Sequence, residues 1–202
     1  MAPGLDRLAD LVRTLHADLV DWCRGRSGWL RLPVVVYLGW FLIAHVRDPA
    51  YWSLAAPLNL GIHELGHVVT RPFGEFIMVA GGSFLQCLVP VIGVVMFARQ
   101  RDWFAIPVAI AWLGDNVAYV SWYCADAVAE ELPLVSLGGG DVIHDWHYLL
   151  DATGLLDHTD AIAGLFRVTA LALLTVGFVG SAYVVWLMIR PATPVPPGAS
   201  AA

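Results

Sequence analysis

Apolar positions in this chain fall in long runs separated by short polar breaks; only the N-terminal stretch mixes the two types periodically. There Leu5, Leu8, Val12, Leu15, Leu19 and Trp22 recur at three-to-four-residue spacing, with Asp and Arg opposite. That spacing predicts an amphipathic helix over 4–23, lying on a bilayer surface or on the protein's own core. Apolar runs at about 30–46, 53–70, 76–98, 103–125 and 163–189 predict four or five spanning helices. Trp29, Trp52, Trp103, Trp122 and Trp186 stand near their ends, where aromatic belts form. Arg167 is close enough to the start of the last run to snorkel. The expected fold is an all-α polytopic membrane protein with an N-terminal amphipathic helix and room for a re-entrant hairpin within 71–98. Three regions follow: the helix of 1–28, a membrane-embedded domain over 29–190, and a Pro/Ala-rich, disordered tail over 191–202.

Composition sharpens this picture. The chain is 58% hydrophobic and only 14% charged, where soluble domains carry about 25% charged residues. A net charge of -6 argues against nucleic-acid partners. The N-terminus lacks the apolar centre of a signal peptide and carries acids from Asp6 onward. Arginines divide evenly between the two sets of loops, so charge bias leaves the orientation open. Cys23, Cys87 and Cys124 have no paired spacing and read as free, buried thiols. Residues 126–160 break the apolar pattern with acids from Asp126 to Asp160 and a glycine triplet, Gly138 to Gly140. Asp141 there reads as a helix cap or turn residue.

The chemistry concentrates in His63-Glu64-Leu65-Gly66-His67, an H-E-x-x-H motif inside the second apolar run. On a helix, positions i and i+4 share a face, so both imidazoles can hold one metal ion. Glu64 is placed to take a proton from water beside that ion. Ionisable groups are costly in hydrocarbon, about 2.5–3.5 kcal/mol on insertion scales, and so mark function. A catalytic zinc needs a third protein ligand. Asp145 and His144, in His144-Asp145-Trp146-His147, offer one; so does Asp115, beside Asn116 in the fourth run; Glu75 is a more distant option. Asp115 and Asn116 also read as partners that orient a ligating histidine.

These motifs resemble the site-2 protease family of intramembrane zinc metalloproteases. The likeness covers roughly residues 54–150. Gly82-Ser83-Phe84-Leu85-Gln86 stands where the family has a Gly-x-x-x-Asn-type element, with Gln86 in place of Asn. His144-Asp145-Trp146 stands where the family has the Leu-Asp-Gly element that supplies its third ligand. The resemblance implies Zn2+ on His63, His67 and Asp145, Glu64 as the base, and a membrane-embedded protein or peptide substrate held near Gly82 and Gln86. The Gly81-Gly82 backbone would then pair with an extended substrate, from a short re-entrant strand over Phe73 to Ala80. The expected location is the inner membrane of a bacterial cell. Two other readings remain: a zinc-dependent membrane hydrolase acting on a lipid or other amphiphile, and a non-enzymatic metal-binding membrane protein.

Overall fold

A computed structural model describes residues 3–134 and 143–190. The Gly138 to Gly140 triplet, Asp141 and the tail from Pro191 lie outside the described residues. Seven α-helices carry the described chain: α1 (Pro3–Cys23), α2 (Leu32–Arg47), α3 (Ala56–Thr70), α4 (Glu75–Arg99), α5 (Ala105–Ala125), α6 (Asp145–Ala152) and α7 (Thr159–Ile189). Short 3-10 turns precede α4 and α7, and no strand occurs among the described residues.

Local chemistry sets several boundaries. Proline occupies the first turn of α2 and of α3, where its missing N–H costs nothing. Gly74 turns the chain into α4 at φ 97°, a conformation open to glycine. Asp102 Oδ1 accepts the backbone N–H groups of Phe104 and Ala105 and so opens α5.

Two helices are long and apolar enough to cross a membrane: Glu75–Arg99, and Leu156–Ile189, which is α7 with its leading turn. Only 28% and 22% of their most apolar windows are buried inside the protein, so most of that apolar surface faces outward. The other apolar runs fold differently from the expected spans. With 16 and 15 residues, α2 and α3 reach only about 24 and 22 Å, short of a hydrocarbon core of about 30 Å. α5 is long enough, but Asp115, Asn116 and its aromatic hydroxyls dilute its apolar character. The expected re-entrant strand is absent too: residues from Glu75 onward are helical, because backbone groups with no neighbouring strand pair within a helix instead.

α3 packs along α4, α4 along α5, α5 along α7, and α2 against α7. Small residues permit the closest of these approaches. A Cβ at Gly177 would lie 2.6 Å from Ala111 Cβ, and one at Gly114 would lie 2.9 Å from Leu174. α1 rests its last turns, through Leu19, Val20, Trp22 and Cys23, on Val184, Leu187 and Met188 of α7. Its Leu8, Leu11, Val12 and Leu15 stay exposed. All three cysteines are free; Cys23 and Cys124 are buried.

The interior is unusually polar. His45, Ser53, Asn59, His63, Gln86, Asp115, Asn116 and Asp145 are all buried, while Val36, Trp40, Leu58, Val68, Phe84, Val168 and Val179 are exposed. Arg167 is not a snorkelling residue: its guanidinium turns inward and donates to the His45 carbonyl.

Candidate metal centre

The H-E-x-x-H segment is the middle of α3, and α4 lies directly against it. Gly66 of α3 meets the backbone of Gly81 and Gly82 so closely that a Cβ on it would lie 2.9 Å from Gly82 Cα. This contact brings both histidine rings onto α4. His67 Nδ1 lies 2.9 Å from the Met78 carbonyl, which can only accept, so that nitrogen carries the proton. His63 Nδ1 lies 2.9 Å from Gln86 Oε1. The Gln86 amide faces that way because its Nε2 donates to the Asn116 carbonyl at 3.5 Å. With Nδ1 donating on both rings, both Nε2 atoms keep their lone pairs.

Those two nitrogens converge on one carboxylate. Asp145 Oδ2 lies 2.9 Å from His63 Nε2 and 3.3 Å from His67 Nε2. The ligand atoms of His63, His67 and Asp145 lie within 4.8 Å of one another. Asp145 opens α6, and its N–H donates to the Tyr123 hydroxyl at 3.1 Å. Two neutral imidazoles and a carboxylate are a donor set that suits zinc and leave a fourth position open.

Glu64 is half-buried beside the cluster. With His63 it lines a cavity of about 180 Å³, walled also by Trp52, Leu60, Tyr119, Trp122, Tyr123 and the segment Leu132 to Leu134. The cavity lies between α3 and the end of α5, beside Glu64.

The other expected site residues are placed differently. His144 is adjacent to Asp145 but does not join the cluster. It caps α6, its Nδ1 accepting the His147 N–H at 3.2 Å, and its Nε2 faces Asp126 at 3.2 Å. Neighbouring side chains at a helix start diverge, so one of the two faces α3 and the other faces α5. Gly82 does not offer a free backbone edge to a substrate. It sits inside α4, where an added Cβ would lie 2.6 Å from both His63 Nε2 and His67 Nε2. Gln86 is wholly buried and spends its carbonyl on His63, so it orients a candidate ligand instead of holding a substrate. Glu75 stands in the first turn of α4, outside the cluster.

Asp115 is likewise not a ligand. Its carboxylate takes the His45 ring at 3.0 Å, the Ser53 hydroxyl at 2.8 Å and the Asn59 amide at 2.8 Å. His45 Nδ1 meets the Phe41 carbonyl at 2.9 Å. Asn59 Oδ1 in turn accepts Trp112 Nε1 at 2.8 Å. Asn59 lies one turn before His63, so Asp115 steadies the motif helix through Asn59 and touches neither histidine of the cluster. Asn116 contributes through its backbone, as the acceptor behind Gln86.

Sequence reasoning did not single out Tyr123 or the Met78 carbonyl. A signal for the first existed: Asp115, Tyr119 and Tyr123 recur at four-residue spacing and line one face of α5.

No protein-family model, curated protein or solved structure matches this chain. The motifs and the geometry around His63 therefore carry the functional reading.

Proposed function

We propose that this chain is an intramembrane zinc metalloprotease, an integral multi-pass protein of a bacterial inner membrane, acting on a membrane-embedded protein or peptide. One observation carries the reading: His63 Nε2, His67 Nε2 and Asp145 Oδ2 converge, while acceptors on α4 hold both Nδ1 atoms. Two sequence-distant elements would not place three ligand atoms in register, with the ring protons turned away, for packing alone. The apolar exterior and polar interior support a bilayer as the surroundings. In that reading α2, α3 and α5 are embedded in the bilayer beside the two long helices.

His63, His67 and Asp145 would hold the ion. Zinc there would polarise a carbonyl and acidify water. Glu64 takes the proton of the attacking water and passes it to the leaving amine. The cavity beside Glu64 supplies room for both. Glu64→Ala should keep about one zinc per chain and lose turnover of a labelled membrane peptide; retained turnover would remove Glu64 from the role of base.

A second reading has an observation of its own. The expected strand edge for an extended peptide is a helix, α4, and the cavity is small, aromatic and apolar. Both features suit an amphiphile such as a lipid, hydrolysed by the same residues. Mass spectrometry of products separates the two: a cut peptide, or a released headgroup or acyl chain.

A further inference from the structure

Tyr123 has two functions available to its hydroxyl, and the metal-ligand geometry uses only one. Its oxygen accepts the N–H of Asp145 at 3.1 Å. That contact fixes the phenol on the backbone of a candidate ligand itself. The hydroxyl proton itself meets no acceptor among the described residues. The ring stands 6.0 Å from His63 and 6.2 Å from Tyr119, centroid to centroid. Tyr123 is buried and lines the same cavity as His63 and Glu64.

A fixed hydroxyl donor in a low-dielectric site is worth most where negative charge develops during a reaction. In hydrolysis of a carbonyl compound, the water oxygen bonds to the carbonyl carbon and the C=O electron pair moves onto oxygen. Glu64 holds the water's proton during this step. The new oxyanion needs a donor. Glu64 is an acceptor when ionised, and His63 has committed its Nδ1 proton to Gln86. The remaining donors bordering the cavity are the hydroxyls of Tyr119 and Tyr123 and the indoles of Trp52 and Trp122. Among these described residues, Tyr123 is the one anchored on the backbone of a candidate ligand, Asp145.

We infer that Tyr123 is a catalytic residue whose hydroxyl donates a hydrogen bond to the oxyanion formed at the scissile carbonyl. This inference rests on the hydrolase reading above. The hydroxyl keeps its proton throughout: it lends a hydrogen bond, and the proton that moves is the one Glu64 carries to the leaving group. The assignment holds for a peptide or an ester carbonyl.

The test uses the full chain in detergent, loaded with Co2+ in place of zinc, and acetohydroxamate as an anionic-oxygen probe read by the cobalt absorption bands. Wild type should take about one cobalt per chain and bind the probe. Tyr123→Phe should keep the cobalt and bind acetohydroxamate about 10- to 100-fold more weakly, the range for one hydrogen bond to a charged group. Unchanged probe affinity would overturn the inference. So would loss of cobalt from a helical Tyr123→Phe chain, which would make Tyr123 only the support of Asp145. Should the Phe chain lose its helical circular dichroism, Tyr123→Leu is read in its place by the same criteria. A wild-type chain that takes no cobalt would instead bring down the hydrolase reading.

Discussion

Substituting Gly82 by alanine sets two effects against each other, and the structure says which prevails. Gly82 lies inside α4, where alanine should favour the helix by about 1 kcal/mol. The added Cβ, however, would lie 2.6 Å from His63 Nε2, His67 Nε2 and His67 Cε1, where ordinary contact begins at 3.4 Å. Both rings would have to retreat by the difference, 0.8 Å. Separation of the helices is blocked from relieving the clash cheaply, because Gly66 and Gly81 hold the two backbones together. Metal–nitrogen distances tolerate about 0.2 Å. Disturbing even a supporting contact of a metal ligand costs about 10- to 100-fold in affinity. Displacing two ligands at once should cost more than about 100-fold. The assay is zinc per chain by mass spectrometry after dialysis against buffered zinc, beside thermal unfolding followed by circular dichroism. Gly61→Ala is the control: it sits in α3 with nothing within 4 Å of its Cβ, and should keep its metal. Gly82→Ala should come out metal-free yet fully helical. A Gly82→Ala chain with wild-type zinc affinity would refute the placement of His63 and His67 around a common ion.

Two further outcomes are expected. Gln86→Leu removes the acceptor behind His63 and should weaken zinc binding by about 10- to 100-fold while leaving one site per chain, read by competition with a chelating dye. Asp115→Ala leaves His45, Ser53 and Asn59 without their shared carboxylate and should destabilise the chain by about 3–5 kcal/mol, seen as a lower unfolding temperature in detergent.

What the sequence made legible was the part that chemistry writes locally. Two histidines four apart with Glu64 between them define a helix face wherever they occur, and Asp145 stood beside His144 and Asp115 as a candidate third partner. Which side of a helix faces which neighbour is written in no short motif. Gln86 read as a substrate contact because its spacing from His63 says nothing of α4's rotation; packing at Gly66 and Gly81 turns it onto His63 instead. The choice between His144 and Asp145 depended on the same unknown, the rotation of α6. The pairing of His45 with Asp115 joins two separate helices and leaves no local pattern in the sequence. The apolar runs were visible too: α2 and α3 end within a residue of where hydropathy changes, and they start two or three residues late, at Leu32 and Ala56, where a proline in the first turn opens each helix.

The hold of α4 on both histidine rings also sets an order of events during synthesis. His63 and Gln86 are 23 residues apart, and His67 and Met78 are 11 apart, within a hairpin of consecutive helices. Asp145 meets His63 across 82 residues, after α5 has been made. A nascent chain that has released α3 and α4 therefore presents two histidines and no carboxylate. Contacts so local close early, and the distant one waits on the loop-closure entropy of the intervening chain. The cluster stays a half-site until α5 has supplied the carbonyl behind Gln86 and α6 has supplied Asp145.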